Sequence, residues 1–108
     1  MIKLKNWIKK LYRSKENITK EEMKEILNNN SNVILLDVRS PQEFEEGHLR
    51  GAINIPTYEL YTQALKRLKD KDAIIIAYCT VGVRSKNAIN ILRKMGYKNL
   101  YHLEGGIG

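Results

Sequence analysis

The sequence predicts an α/β protein with a mainly parallel central sheet flanked by helices. Residues 33–36 and 73–77 are continuous apolar runs, and the second contains three consecutive isoleucines. Uniform apolarity is typical of strands that are covered on both faces, as in a parallel sheet. Segments with helical periodicity separate and follow these runs, and strands that alternate with helices favour a layered α/β fold.

Size and composition narrow the class of protein. A chain of 108 residues allows one domain that buries a useful core without a metal or disulfide. Its single cysteine cannot form an internal disulfide, so a reduced, cytoplasmic setting is expected. The sequence predicts neither a membrane-spanning helix nor a secretory signal.

The net charge of +7 is concentrated in the first 20 residues. They carry a balance of +6, against +1 for residues 21–108. Residues 1–17 are therefore predicted to form a basic amphipathic N-terminal helix or arm, and residues 18–108 the folded domain. The arm's apolar face comprises Ile2, Leu4, Trp7, Ile8, Leu11 and Tyr12.

The arm has two interpretations that the sequence leaves open. A basic amphipathic helix with a tryptophan suits an anionic membrane surface or a protein partner, which would attach a cytoplasmic protein peripherally to the membrane. Alternatively, the apolar face packs on the domain or on a second copy, with the lysines in solvent. No nucleic-acid-binding motif accompanies the charge, so nucleic acid is not an expected partner.

Capping signals predict the helices in the first half of the domain. Residues 15–18 form a joint or a short edge strand. Thr19 followed by Glu22 is the pattern of a capping box, and Ser40 with Glu43 repeats it. Met23, Ile26 and Leu27 are expected to form the buried face of the first helix, which ends in the asparagine run 28–32, while Gly47 ends the second helix.

The second half continues the alternation of strands and helices. Residues 52–55 form a short strand, and Thr57 is expected to cap a helix that reaches about Leu68. Residues 86–95 form a helix that ends at Gly96, before a last strand at 99–103. The expected inner faces are Tyr61, Ala64, Leu65 and Leu68 for the first of these helices, and Ala88, Leu92 and Met95 for the second.

The only cysteine lies where a predicted strand ends and a helix begins. Backbone N–H groups of such a loop point at a common centre, and the helix N-terminus favours a bound anion. The pKa of Cys79 is therefore expected to lie below that of a free cysteine. Gly82 permits a backbone conformation that other residues resist, and Ser85 is expected to cap the helix.

Three ordered motifs stand in the chain. Residues 79–85 read Cys-Thr-Val-Gly-Val-Arg-Ser. Residues 36–56 contain Leu-Asp-Val-Arg-Ser-Pro-Gln-Glu-Phe, Gly-His-Leu and Gly-Ala-Ile-Asn-Ile-Pro, and residues 96–107 contain Gly-Tyr and Leu-Glu-Gly-Gly-Ile. Over about residues 18–108 the chain resembles the rhodanese-like sulfurtransferases, whose active-site loop and flanking signatures these motifs match.

The resemblance implies sulfur transfer without a metal or other cofactor. Cys79 would take the outer sulfur of a small anionic donor such as thiosulfate, or of a persulfide, and pass it to an external thiol or cyanide. Loop amides would bind the transferred sulfur, and the guanidinium of Arg84 would bind the donor. The loop residues expected to bind substrate are Thr80, Val81, Gly82, Val83 and Arg84, with Ser85 in support.

Four other residues are expected to support the site. In the resembling family, Asp37 and Arg39 mainly brace the loops around it. His48 is interpreted as a hydrogen-bonded packing residue rather than a general base. Arg50 stands where many family members have proline, and it either faces the pocket or lies in solvent.

Two alternative functions follow from the same motifs. A cysteine phosphatase or arsenate reductase also uses a thiolate, an arginine and an anion-binding loop. Tyrosine phosphatases have five residues between the cysteine and the arginine, whereas four separate Cys79 from Arg84. The shorter loop makes a smaller anion-binding site, which is better sized for a sulfur atom than for a tetrahedral oxyanion. The other alternative is a weakly active or non-catalytic docking or persulfide-carrier module. It stays open because family members usually continue into a closing helix, which is not expected here.

Deleting residues 1–14 distinguishes the two interpretations of the arm. A tether predicts an unchanged melting temperature and the loss of binding to anionic vesicles, which salt also weakens. An arm packed on the domain predicts a lower melting temperature, because apolar burial contributes ~25 cal/mol per Å². Thermal unfolding and co-sedimentation at two salt concentrations measure both. A destabilised truncation whose parent chain does not bind vesicles at low salt would exclude the tether.

Overall fold

The computed structural model describes residues 15–108 and contains the predicted α/β fold with a parallel central sheet. The amphipathic helix predicted for the N-terminal arm lies outside the described residues, and the domain boundary stays a prediction. Across residues 15–108, no helix has the length and apolarity needed to span a bilayer.

Five parallel strands form the sheet in the order β1-β5-β4-β2-β3. The isoleucine-rich strand β4 lies at the centre, between β2 and β5, and all five of its residues are buried. This position explains its uninterrupted apolar sequence, because layers cover both of its faces. The strands are β1 (Asn17–Ile18), β2 (Val33–Asp37), β3 (Ile53–Asn54), β4 (Ile74–Tyr78) and β5 (Asn99–Leu103).

Helices cover the two faces of the sheet and bury two apolar clusters. One cluster packs the third and fourth helices against Ile75, Ala77 and Cys79, and the other packs the first helix against Ile74 and Ile76. Alternate residues of the central strand therefore enter opposite layers, with the cysteine on the side of the last two helices. The helices are α1 (Lys20–Asn29), α2 (Pro41–Glu46), α3 (Leu60–Arg67) and α4 (Val83–Lys94).

Both predicted capping boxes are present. The Thr19 hydroxyl accepts a hydrogen bond from the Glu22 N–H, and the Glu22 carboxylate accepts one from the Thr19 N–H. Ser40 and Glu43 repeat this exchange at the start of α2. Gly47 ends α2 as expected. These helix starts depend only on neighbouring residues, which is why the sequence predicts them well.

The helix predicted to start at Thr57 begins later and buries a different face. Residues Thr57–Glu59 form a 3-10 turn, and α3 follows from Leu60 without a side-chain cap. A 3-10 turn has three residues rather than 3.6 per turn, so it changes the phase of the helix that follows. The buried face is Leu60, Ala64 and Leu68, whereas Tyr61 and Leu65 are 61% and 56% exposed, which corrects their predicted burial.

The expected cap at Ser85 is also wrong. Gly82 occupies the N-cap position of α4 with φ at +97°, so the helix begins earlier than predicted. Ser85 lies inside the first turn, where it is fully buried and its hydroxyl donates back to the Gly82 carbonyl at 3.2 Å. The left-handed glycine made the earlier start possible, and it frees the serine for contacts inside the domain.

The segment after β5 supports the cysteine loop from beneath. The N–H of Ile107 donates to the Cys79 carbonyl at 3.0 Å, and the N–H of Gly108 donates to the Thr80 carbonyl at 2.9 Å. Gly106 has φ at +67°, and a Cβ atom there would overlap both carbonyl groups. Glycine at this position therefore lets two backbone segments pack directly on each other.

Replacement of Gly106 by alanine is expected to displace the cysteine loop. The strained φ costs about 1–2 kcal/mol, and overlap with the loop carbonyls adds about 1–3 kcal/mol. The matched control is Gly105→Ala, which has a similar φ of +77° but no atom near the added Cβ. Urea unfolding measures both variants, and equal destabilisation of the two would show that the close approach at Gly106 has no energetic role.

Candidate active site around Cys79

Cys79 lies at the carboxyl end of the central strand, at the edge of the sheet where parallel α/β proteins bind ligands. The loop after it turns directly into α4. Asp37 is the partner of Tyr78 in the neighbouring strand, so β2 and the start of α2 reach the same edge. The side chain of Cys79 is fully buried.

Backbone N–H groups converge on the cysteine sulfur. The Gly82 N–H donates to Sγ at 3.1 Å and the Ser85 N–H donates at 3.4 Å. The Val81 N–H also lowers the pKa of the thiol, and Ser85 Oγ lies 3.6 Å from Sγ. Sequence reasoning expected the amides of residues 80–84 and missed that of Ser85. The expected role of the Thr80, Val83 and Arg84 amides, binding the outer sulfur of a donor, stays a prediction.

These hydrogen bonds decide the protonation of the thiol. Burial raises the pKa of Cys79, because the low dielectric disfavours a charged sulfur. Hydrogen bonds from Ser85, Gly82 and Val81 outweigh burial, and the pKa lies below its usual range. A larger fraction of the sulfur is therefore thiolate at neutral pH than in a free cysteine, and the thiolate is the nucleophilic form.

The guanidinium of Arg84 pairs with Glu43 rather than with the sulfur. Its two terminal nitrogens donate to the two carboxylate oxygens at 2.6 and 3.0 Å, and one of them also donates to Thr80 Oγ1 at 3.1 Å. Arg84 holds the pKa of the Glu43 carboxyl well below its usual range. Both side chains remain about one-third exposed, so water screens the pair and the arginine stays accessible to an anion.

Sequence reasoning missed Glu43 as a residue of the site. Its capping box with Ser40 explained it locally, and Arg84 is 41 residues away. The available signal was topological: a carboxylate in the helix after β2 lies at the same sheet edge as the cysteine loop. Glu43 also accepts a hydrogen bond from the Thr80 hydroxyl at 3.3 Å, which joins it to the loop.

Asp37 and Arg39 form a buried ion pair beside the loop. The Arg39 Nη2 donates to Asp37 at 2.7 Å and to the Gly47 carbonyl at 2.6 Å. The side-chain amide of Asn54 donates to the carbonyls of both Asp37 and Arg39 at 2.9 Å. These bonds tie the end of β2 to β3 and to the turn after α2.

His48 and Arg50 lie at the surface. The ring of His48 stacks on Phe44 at 3.6 Å, and its Nδ1 lies 2.7 Å from the Phe44 carbonyl. This geometry matches the packing interpretation of His48. Arg50 is exposed and has no hydrogen bond or ion pair to any residue in the described part of the chain. The structure brings neither side chain to the sulfur.

His102 is a second residue that sequence reasoning missed. It is only 4% exposed, on β5, and its Nδ1 lies 3.1 Å from Ser85 Oγ. Its Nε2 lies 2.8 Å from the side-chain oxygen Oδ1 of Asn17. The signal in the sequence was a histidine inside an otherwise apolar strand, near the carboxyl end that also carries the motif Leu-Glu-Gly-Gly-Ile.

Comparisons with known proteins identify the family to which this domain is similar. The family model of the rhodanese-like domain matches residues 19–108. A tRNA uridine(34) hydroxylase from Erwinia tasmaniensis is 41% identical over 78 residues, which are 68% of this chain and 22% of that protein. One from Photorhabdus laumondii is 35% identical over 96 residues, which are 85% of this chain and 27% of that protein. The chain thus spans about a quarter of the length of these curated relatives.

Solved structures show the same architecture. A rhodanese-like domain from an Anabaena protein aligns with a TM-score of 0.78 and 27% identity, over 85% of this chain and 70% of that one. A human single-domain sulfurtransferase aligns with a TM-score of 0.75 and 26% identity, over 85% of this chain and 91% of that one.

Freeing Arg84 from Glu43 is expected to favour anionic reagents at the sulfur. In Glu43→Gln, the ratio of the alkylation rates by iodoacetate and iodoacetamide should rise about threefold to fivefold, since a partly exposed charge contributes up to about 1 kcal/mol. Arg84→Ala should lower the ratio. Because both reagents attack the same thiolate, the ratio cancels differences in thiol pKa. Glu45→Gln, which changes an exposed carboxylate on the same helix, is the control. A ratio unchanged by both Glu43→Gln and Arg84→Ala would contradict this electrostatic role.

Proposed function

This chain belongs to the rhodanese-like domain family, and we propose that it transfers sulfane sulfur through a persulfide on Cys79. The observation that carries the proposal is the convergence of the Gly82 and Ser85 N–H groups on the buried sulfur. Such groups stabilise a thiolate, and they can equally stabilise partial negative charge on a persulfide. The proposal rests on this site and not on the activity of the hydroxylase relatives, because the chain spans only about a quarter of their length.

The first half-reaction loads the cysteine. The Cys79 thiolate attacks the outer sulfur of thiosulfate or of a low-molecular-weight persulfide, and a new S–S bond forms at Sγ. The bond between the outer sulfur and the rest of the donor breaks, and the leaving group takes its electron pair as sulfite or as a thiolate. The transferred sulfur then lies at the mouth of the loop formed by residues 79–84.

The second half-reaction empties the cysteine. An external thiol or cyanide attacks the terminal sulfur, and the Cys79 thiolate leaves with the electron pair of the S–S bond. The same amides then stabilise the thiolate that they stabilised before loading. The chain has one cysteine, so no second thiol of its own can resolve the persulfide, and an outside acceptor is required.

Arg84 is proposed to bind the anionic part of the donor. A guanidinium has five N–H donors, and the bonds to Glu43 and Thr80 use three of them. Two donors remain for an anion without breaking the ion pair. A doubly charged donor would also be repelled by Glu43, so this pairing favours donors with a single negative charge over dianions such as thiosulfate.

A persulfide carrier is the second candidate function. The chain matches about a quarter of the length of its curated relatives, in which the matched region is one part of a longer protein. This arrangement in the relatives favours a carrier function. A carrier would accept sulfur on Cys79 but release it only to a docked partner. Persulfide loading without turnover by cyanide or free thiols would identify this function.

Incubation with thiosulfate or a glutathione-type persulfide is expected to add one sulfur atom to Cys79. Mass spectrometry of the intact chain measures the adduct, and thiocyanate formation from cyanide measures turnover. Cys79→Ser should lose both, because a serine hydroxyl is not ionised at neutral pH. Ser31→Ala, at the opposite edge of the sheet, should retain both. Turnover by Cys79→Ser at the rate of the unchanged protein would refute the mechanism.

A further inference from the structure

Five large apolar side chains are exposed in residues 15–108, and all of them lie in two short segments. Tyr58, Tyr61 and Leu65 belong to the 3-10 turn and α3. Val81 and Val83 belong to the cysteine loop and the start of α4. The exposed fractions of the five side chains run from 56% to 73%. Single exposed apolar residues are ordinary on a protein surface, whereas a group of them marks a contact site.

The two segments lie side by side at the sheet edge that carries Cys79. The 3-10 turn and α3 both contact α4. The Thr57 N–H donates to the Val38 carbonyl at 3.2 Å, and the Val38 N–H donates to the Tyr78 carbonyl at 3.1 Å. The 3-10 turn is therefore two hydrogen bonds away from the residue that precedes the cysteine.

The apolar side chains extend beyond the reach of a small acceptor. Val81 and Val83 stand on either side of Gly82, whose N–H donates to the sulfur at 3.1 Å. Positions 58, 61 and 65 recur at intervals of three and four, so their side chains share one face of the turn and helix. At 1.5 Å per residue this face is about 10 Å long. A cyanide ion or a small thiol at the sulfur cannot cover it, but a segment of a protein can.

The charges beside these side chains are mainly positive. Segments 57–67 and 81–86 contain four basic residues and one acidic residue, namely Lys66, Arg67, Arg84, Lys86 and Glu59. Glu43 neutralises Arg84, which leaves a balance of +2. Such a surface repels the N-terminal arm, since the first 20 residues carry +6, and it repels the same surface of a second copy. An acidic partner is favoured instead.

We propose that these five side chains form a docking surface for an acidic protein segment that carries the acceptor thiol. The inference rests on the proposed function for the role of that thiol, since the only cysteine of the chain cannot resolve its own persulfide. The partner thiolate attacks the outer sulfur of the Cys79 persulfide, and a new S–S bond forms on the partner. Cys79 leaves as a thiolate with the electron pair of the broken bond. Tyrosine suits such a surface, because it supplies a large contact area at a small cost in side-chain entropy.

Peptide binding to the unloaded protein tests the surface without sulfur transfer. The probe is a synthetic helical peptide with a leucine-rich face, a face of glutamates, and serine in place of its one cysteine. We expect it to bind about tenfold more tightly than a peptide with serines instead of the leucines, or one with lysines instead of the glutamates. The double variant Tyr58→Ser, Tyr61→Ser should lose the preference for leucines, and Leu65→Ser alone should weaken it. Lys24→Ser, at an exposed position of α1 in the opposite layer, is the control.

Sulfur transfer to the cysteine-containing forms of the same peptides is the second measurement. From persulfide-loaded Cys79, the acidic, leucine-rich peptide should receive sulfur about tenfold faster than the serine-rich one. The ratio of the transfer rates to this peptide and to cyanide should fall about tenfold in the double variant and stay unchanged in Lys24→Ser. The ratio cancels differences in persulfide loading between the proteins.

Equal binding of the three peptides, or an unchanged preference for leucines in the folded double variant and in Leu65→Ser, would overturn the proposal. Tighter peptide binding after deletion of residues 1–14 would also overturn it, because the arm would then occupy the surface. A dimer of the unchanged protein that the double variant abolishes would assign the surface to a second copy instead. Peptide binding without any persulfide loading would refute sulfur transfer through Cys79 and leave the docking surface intact.

Discussion

The hydrogen bonds from backbone N–H groups to the Cys79 sulfur are the interaction on which the rest of the site depends. They require Gly82 in a left-handed conformation, so that the loop turns its amides inwards before α4 begins. They also require a loop that holds its shape, and the C-terminal segment supplies this by bonding to the carbonyls of Cys79 and Thr80 on the opposite side. The loop is thus fixed by N–H groups of Gly82 and Ser85 that donate to the sulfur, and by carbonyls of Cys79 and Thr80 that accept from the C-terminal segment.

The two ion pairs near the loop differ in solvent exposure, and the difference separates their roles. Asp37 and Arg39 are buried and share further hydrogen bonds with the backbone, so removing either one leaves an uncompensated charge inside the protein. Arg84 and Glu43 are open to water, where exchange of partners is inexpensive. The first pair maintains the shape of the sheet edge, and the second is able to respond to an incoming anion.

The sequence predicted the features that depend on neighbouring residues. The two capping boxes, the last strand and the position of the cysteine at a strand end were all anticipated. The misassigned Ser85 shows the limit, because its environment follows from the conformation of a glycine three residues earlier. Glu43 and His102 were missed for another reason. Their partners lie 41 and 17 residues away, and only the strand order brings them together.

The bond between His102 and Asn17 joins residues 85 positions apart in the chain. Parallel pairing of β1 with β5 closes this span, and contacts of such long range form late because the entropy of loop closure opposes them. The groups that lower the pKa of Cys79 are instead close to it in sequence, at Ser85, Gly82 and Val81. The loop can therefore favour the thiolate before the edge strand docks. Oxidants attack thiolates far faster than thiols, so protection of the cysteine depends on its burial in the finished domain.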